Sequence, residues 1–188
     1  MVNYDILVRT QSTPNPHAIK FVVNCPIKIE GKATFSNKEE TKGLLLAEDL
    51  FLVNGVEQLH MFENVVTVTY SEGAERQKLI DDVVSVLQSR LVMHDPNFLL
   101  EAEKKKKKKD ENLSPEIQQI EEILDRTIRP GLQADGGDVE ILGFSDNTVT
   151  ISYEGACGSC PSAMYGTLDA ILSILRNEFH PELEIRIG

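Results

Sequence analysis

The sequence predicts an α+β protein with two small domains, because apolar residues recur with both the helical and the strand period on either side of a charged run. The chain has 188 residues, which is enough for one domain or two small ones. Hydrophobic residues make up 41% and charged residues 26%, proportions that exclude a disordered or fibrous chain. Six consecutive lysines at 104–109 lie among acidic residues and cannot bury apolar surface. We therefore expect domains at 1–100 and 115–188, joined by a charged linker at 101–114.

The first domain is predicted to contain both strands and helices. Alternation of apolar and polar residues predicts strands at 6–8, 19–23 and 66–70. Apolar residues recur every four positions over 79–91 and predict a helix there. Another helix is predicted over 38–51, although three consecutive leucines blur its apolar face.

The second domain is predicted to begin with a helix at Ser114 and Pro115. Serine is a favourable N-cap, and proline fits the first helical turn because its missing N–H is not needed there. The apolar face of this helix consists of residues at spacings of three and four: Ile117, Ile120, Leu124 and Ile128. Pro130-Gly131 is expected to end the helix.

The rest of the second domain is predicted to form two strands, a helix and a third strand. Alternating residues over 138–141 and 148–153 predict a hairpin, with residues 145–147 as its turn. Apolar residues at helical spacing predict a helix over 164–179, and alternation over 183–187 predicts the last strand. The predicted order is therefore helix, strand, strand, helix, strand.

The charge distribution argues against nucleic acid as a partner. The chain has a net charge of −11, and residues 115–188 carry 4 basic and 13 acidic side chains with no lysine. A surface this acidic repels phosphate backbones. No apolar run approaches the roughly 20 residues that cross a bilayer, so we expect no membrane partner either.

The first residues resemble neither a secretory signal nor an arginine-rich transit peptide. We therefore expect a cytoplasmic protein, and a mitochondrial matrix form only if a presequence is absent from this chain. The three cysteines fit a reducing compartment, because an odd number without an export signal argues against a disulfide framework. Cys25 is expected to be an ordinary half-buried thiol, whereas the pair Cys157 and Cys160 is typical of a metal-binding or redox-active site.

The paired cysteines form the candidate functional site. They lie in Gly155-Ala156-Cys157-Gly158-Ser159-Cys160-Pro161, between the end of a predicted strand and a predicted helix whose first turn Pro161 suits. The two-residue gap lets both sulfurs turn toward one point. The positive end of the following helix favours thiolates, so we expect a lowered thiol pKa at this site.

Three chemistries can use such a pair. A dithiol–disulfide oxidoreductase of the thioredoxin type also has its cysteines at a helix start, but the 28 residues after Cys160 are too few for the sheet of that fold. A structural zinc site needs four ligands, and no histidine lies within ten residues of the pair. A 4Fe–4S cluster is held by four thiolates, so two chains would share one cluster.

Two motifs make the second domain resemble the C-terminal domain of NifU. They are Asp135-Gly136-Gly137-Asp138-Val139-Glu140 and the cysteine segment continued by Ser162. The resemblance covers residues 115–188 and includes the order of the elements. It implies that Cys157 and Cys160 of each chain bind a 4Fe–4S cluster that bridges two subunits. Residues 135–138 are expected to form a turn that sets the first strand.

The first domain contains the segments Gln11-Ser12-Thr13-Pro14-Asn15-Pro16, Ile19-Lys20-Phe21, Leu50-Phe51 with Gly55-Val56, and Val65-Val66-Thr67-Val68-Thr69. With these segments, residues 5–95 resemble the N-terminal domain of Nfu-type proteins. The resemblance is looser over residues 59–64, where the family pattern implies a more aromatic turn that contains glycine. An N-terminal domain of this type followed by a NifU domain is the Nfu architecture.

The resemblance to Nfu proteins implies a non-enzymatic iron–sulfur cluster scaffold or carrier. Such a protein accepts a cluster from the iron–sulfur assembly machinery and delivers it to apo iron–sulfur proteins, and the N-terminal domain helps to select partners. The implied cluster is 4Fe–4S in a homodimer, and 2Fe–2S is also compatible with four thiolates. The alternative function is a dithiol–disulfide oxidoreductase that uses Cys157 and Cys160.

Overall fold

The structure is a computed structural model that describes residues 5–99, 114–157 and 161–188, with the backbone alone for 161–165. The chain divides into two compact units, Met1–Phe98 and Leu99–Gly188. Each unit combines helices with a sheet, which confirms the predicted α+β class. The predicted linker at 101–114 lies outside the described residues except for Ser114, so its bounds stay a prediction.

The first unit contains a five-stranded antiparallel sheet with the order β1-β2-β5-β4-β3. Its strands are β1 (Val8–Ser12), β2 (Ala18–Val23), β3 (Lys28–Phe35), β4 (Val56–Glu63) and β5 (Val65–Tyr70). The helices are α1 (Leu45–Leu50) and α2 (Arg76–Arg90), with short 3-10 turns at Lys38–Thr41 and Leu91–Met93. Buried apolar residues of these helices and of alternate strand positions form the core of this unit.

The helix predicted over 38–51 is wrong as a single element. A 3-10 turn at Lys38–Thr41 and the short helix α1 replace it. Gly43 lies between them with a φ of 88°, a left-handed conformation that interrupts a right-handed helix. Asn37 caps the 3-10 turn by accepting a hydrogen bond from the N–H of Glu40 at 3.2 Å.

Strands β3 and β4 were not predicted from the sequence. In β3 the pairing register shifts between Lys28 and Lys32, around a left-handed Gly31, and such a bulge disrupts the alternation that marks a strand. In β4 the register shifts between Val56 and Gln58, and this irregularity likewise breaks the alternation of apolar and polar residues. The first strand begins at Val8, later than the predicted 6–8.

The second unit packs helices against a three-stranded sheet with the order β6-β7-β8. Its elements are α3 (Pro115–Thr127), α4 (Arg129–Ala134), β6 (Gly137–Ser145), β7 (Thr148–Gly155), α5 (Pro161–Glu178) and β8 (Glu184–Ile187). Ser114 caps α3 as predicted, since its hydroxyl oxygen accepts a hydrogen bond from the N–H of Ile117 at 3.4 Å. The predicted hairpin turn is confirmed, because Asp146 and Asn147 adopt the left-handed φ values of 49° and 57° that tight hairpins require.

The predicted element order is confirmed, with one short helix, α4, added between α3 and β6. Pro130-Gly131 does not end the helical region but lies in the first turn of a second helix that begins at Arg129. A proline in a first turn loses no helical hydrogen bond, so the same residue that stops α3 also fits the start of α4. This short helix leads directly to the turn before β6.

Within the described part of the chain, no helix combines the length and the apolar character needed to cross a membrane.

Gly55 provides a test of the fold of the first unit. It has a φ of 90°, and a Cβ at this position would lie 2.6 Å from the Cβ of Ala74. Gly55→Ala is therefore expected to lower the free energy of unfolding of this unit by about 2–4 kcal/mol. The left-handed backbone strains an alanine, and its methyl group collides with Ala74, so both effects destabilise the folded state. The measurement is a urea titration of the full chain followed through the amide NMR signals of β5.

Gly73→Ala is the matched control for Gly55→Ala. A Cβ at Gly73 would meet open space, and its φ lies outside the left-handed region. This variant is expected to be neutral or to stabilise by up to about 1 kcal/mol. Equal losses in the two variants would contradict the steric argument.

Candidate functional site

The predicted site residues follow the end of β7 and precede α5. Cys157 lies two residues after Gly155, the last residue of β7, and α5 begins at Pro161 as the sequence predicts. Cys160 lies outside the described residues, so its distance from Cys157 and the expected lowering of the thiol pKa stay predictions. Cys157 itself is 7% exposed and belongs to the apolar core of the second unit.

The thiol of Cys157 packs against the backbone of Gly137. A Cβ built on Gly137 would lie 2.5 Å from Cys157 Sγ, 2.7 Å from the carbonyl oxygen of Glu154 and 3.0 Å from the backbone nitrogen of Cys157. Real Cβ atoms do not come this close to other heavy atoms. The position opposite the thiol therefore requires glycine for reasons of space.

The turn before β6 holds this glycine against the cysteine loop. Gly136 has a φ of 83°, and its carbonyl oxygen accepts a hydrogen bond from the N–H of Ala156 at 3.1 Å. Gly137 pairs with Gly155 in the register of β6 and β7. The expected turn at 135–138 is therefore present, but the strand begins within it, at Gly137.

Asp138 anchors the start of β6 with a buried carboxylate that is 2% exposed. Its Oδ1 accepts a hydrogen bond from the N–H of Val139 at 2.7 Å, and its Oδ2 accepts one from Nε2 of Gln133 at 3.3 Å. Nε of Arg129 lies 3.4 Å from Oδ1. Buried carboxylates are stable only with such partners, and these partners come from α4 and from the strand itself.

Arg129 joins α3 to the start of β6. Its guanidinium donates hydrogen bonds to the carbonyl oxygen of Val139, from Nε at 3.4 Å and from Nη2 at 3.2 Å. It also forms ion pairs with Glu121 and Asp125 of α3, although its side chain is only 13% exposed. Burial opposes its charged form, but the hydrogen bond to Asp125 and the charge of Glu121 outweigh burial and raise the pKa of Arg129.

The raised pKa of Tyr153 reflects the low polarity around the cysteine loop. Tyr153 is 7% exposed and lies in the same apolar core as Cys157. Burial, and then the charge of Cys157, raise the pKa of Tyr153 to about 12. The surroundings of Cys157 therefore resemble a protein interior rather than an exposed loop.

Cys25 belongs to the first unit and is half-buried, as the sequence predicts. Burial raises the pKa of the Cys25 thiol, which favours an inert neutral group. Among the residues that the structure describes, no group of three or more His, Cys, Asp or Glu side chains is arranged to hold a metal ion.

Sequence reasoning missed the roles of Arg129 and Gly137. Arg129 lies nine residues before Asp138, a separation that follows neither the helical nor the strand period. Gly137 was visible only as one of two adjacent glycines in a turn, which predicts flexible torsions rather than a contact with a thiol. The contact of Gly137 with the cysteine loop depends on the pairing of β6 with β7.

Two family models match this chain. The model described as "NifU-like domain" matches residues 120–186, and the model described as "Scaffold protein Nfu/NifU N terminal" matches residues 8–94. The fold and the cysteine loop thus define a protein with an Nfu-type N-terminal region and a NifU-like domain after it.

Relatives of known sequence support the same assignment. A NifU-like protein of Schizosaccharomyces pombe is 32% identical over 95% of this chain and 71% of its own length. A Drosophila erecta protein named "NFU1 iron-sulfur cluster scaffold homolog, mitochondrial" is 30% identical over 95% of this chain, which spans only 63% of the fly protein. A solution NMR structure of a NifU-like protein from Saccharomyces cerevisiae matches 49% of this chain and 84% of the yeast chain, with 22% identity and a TM-score of 0.45.

From the two family models and the Schizosaccharomyces pombe relative, the chain belongs to the Nfu family of iron–sulfur cluster scaffold proteins.

Arg129→Met tests the anchor of the site. The substitution leaves the buried Asp138 carboxylate and the Val139 carbonyl without the guanidinium. We expect the free energy of unfolding of the second unit to fall by about 2–4 kcal/mol, because a buried charge loses its partner. The measurement is a urea titration followed through the amide NMR signals of β6.

Arg126→Met is the control for Arg129→Met. Arg126 pairs with Glu178, but its side chain is 65% exposed. Exposed ion pairs contribute little, so a loss below about 1 kcal/mol is expected. A loss in Arg126→Met as large as in Arg129→Met would refute the special role of the buried arginine.

Proposed function

We propose that this protein is a non-enzymatic carrier that binds one 4Fe–4S cluster between two copies of the chain and transfers it to apo iron–sulfur proteins. The observation that carries the proposal is the pair Cys157 and Cys160 in a NifU-like domain, between β7 and α5. The relative named an iron–sulfur cluster scaffold supports the same class of activity.

The number of ligands implies the shared cluster. A cubane is held by four thiolates, and each chain contributes Cys157 and Cys160. Two chains therefore complete the ligand set, and each holds the cluster by only two bonds. The cluster is cargo in this scheme, because separation of the subunits or thiolate exchange with a client's cysteines releases it. A 2Fe–2S cluster uses the same four thiolates and is the alternative cargo.

The position of the pair at the start of α5 suits thiolate ligands. The unpaired N–H groups and the dipole of a helix N-terminus stabilise a negative charge. α5 has 18 residues, so its dipole is fully developed. These groups at the helix start favour the thiolate form that each cysteine must take when it binds iron.

The partners in this scheme are a donor from the iron–sulfur assembly machinery and client apo-proteins. The N-terminal unit helps to select them, and neither nucleic acid nor a membrane takes part. We propose a reducing compartment as the site of action, either the cytoplasm or the mitochondrial matrix, and the name of the fly relative favours the matrix. Fluorescence of the tagged full-length gene product in cells distinguishes the two.

Native mass spectrometry after anaerobic reconstitution with iron and sulfide tests the cluster. The expected species is two chains with four irons and four sulfides, together with broad visible absorption. Cys157→Ser and Cys160→Ser are each expected to abolish the cluster and the cluster-dependent dimer, because two of four ligands are lost in the homodimer. Cys25→Ser is the matched control and is expected to load fully.

Other outcomes of this experiment would refute the proposal in distinct ways. A colourless dimer with bound zinc indicates a structural metal site, and a monomer that takes up no iron excludes a cluster carrier. A dithiol–disulfide oxidoreductase would instead accumulate a mixed disulfide on Cys157 in the Cys160→Ser variant, because the resolving thiol is lost. Equal loss of iron in Cys25→Ser would assign a ligand outside the pair.

A further inference from the structure

We propose that Gly137 is a positioning residue for the cluster, because its missing side chain provides the space in which the thiol of Cys157 lies. The proposal rests on the proposed function of Cys157 as a cluster ligand and adds a residue that does not itself touch the cluster. It is carried by the 2.5 Å that would separate a Cβ on Gly137 from Cys157 Sγ.

Space, and not backbone conformation, is what requires glycine at this position. Gly136 and Gly155 have left-handed φ values of 83° and 62°, whereas Gly137 lies outside that region. An alanine at 137 could therefore adopt the same backbone. Its methyl group would still collide with Cys157 Sγ and crowd two backbone atoms of the cysteine loop.

The backbone of Gly137 cannot move away from such a collision. The hydrogen bond from the N–H of Ala156 to the carbonyl oxygen of Gly136 fixes the residue before Gly137, and the pairing with Gly155 fixes Gly137 itself. The residue after Gly137 is fixed by the Asp138 carboxylate, which contacts the N–H of Val139 and the side chains of Gln133 and Arg129. The thiol is the most mobile of the colliding groups, because rotation about one side-chain bond moves it.

In Gly137→Ala the Cys157 thiol is therefore expected to turn out of its buried position. A cluster ligand must point at a fixed iron, so a rotated thiolate holds the cluster less well. The same rotation exposes the thiol of the apo-protein to reagents, and this second effect is measurable without any cluster.

The first test measures alkylation of the apo-protein by iodoacetamide, with each cysteine quantified by mass spectrometry. In Gly137→Ala the rate at Cys157 relative to Cys160 is expected to rise about tenfold, since overpacking of a filled site shifts conformational equilibria by this order. A urea titration of each variant gives its loss of stability, and a rise at Cys157 no larger than this loss accounts for would indicate global unfolding and overturn the proposal. Gly143→Ala, on the same strand with open space around a Cβ, is the matched control and is expected to leave the ratio unchanged.

The second test measures the rate at which the reconstituted dimer loses its cluster to a chelator. Gly137→Ala is expected to release the cluster about tenfold faster than Gly143→Ala, because one thiolate of each chain is misdirected.

The two tests can contradict the proposal separately. An unchanged alkylation ratio would show that Gly137 does not provide the space for the Cys157 thiol. A changed ratio with an unchanged release rate would overturn the positioning role. Failure of the unmodified protein to take up iron would instead refute the proposed function, while alkylation still reports the contact.

A double variant covers the case in which Gly137→Ala is too unstable for the alkylation test but still has a measurable unfolding transition. Removal of the sulfur in Cys157→Ala relieves the closest of the three collisions. Gly137→Ala is expected to change the unfolding equilibrium constant at least about fivefold less in the Cys157→Ala background than in the unmodified chain, as for groups in direct contact. Equal changes in the two backgrounds would show that the backbone of Glu154 and Cys157, and not the thiol, requires glycine, and this result would overturn the proposal.

Discussion

The half-buried guanidinium of Arg129 makes the contacts on which the candidate site depends. It binds two carboxylates of α3, the carboxylate of Asp138 and the carbonyl oxygen of Val139. The Asp138 carboxylate would be costly to bury alone, and these contacts fix the start of β6 against α3 and α4. The position of Gly137, and through it that of the Cys157 thiol, follows from this anchor.

Local periodicity explains which parts of the fold could be predicted from the sequence. α3, the hairpin turn at Asp146-Asn147 and the start of α5 at Pro161 carry strong local signals, so their predictions agree with the structure. β3 has a bulge and α4 has a proline in its first turn, so local patterns there indicated a different structure. Contacts between distant residues leave no periodic signal at all.

The candidate site shows the same division between local and distant information. The spacing of Cys157 and Cys160 predicts the ligands, since ligand type and separation are local properties. Arg129 and Gly137 act across elements, Arg129 through its contacts with α3 and β6 and Gly137 through the pairing of β6 with β7. The sequence could therefore predict the proposed ligands, whereas the structure was needed to find the residues that hold Cys157 in place.

The burial of Cys157 addresses a conflict in the proposed carrier. A thiolate that binds iron readily also reacts readily with oxidants when it is exposed. In this structure the residue is 7% exposed, with its sulfur against Gly137, so the apo-protein shields one ligand. Gly137 provides the space for this shielded position. A larger residue there would turn the sulfur toward solvent, where it is open to oxidants and no longer directed as a ligand.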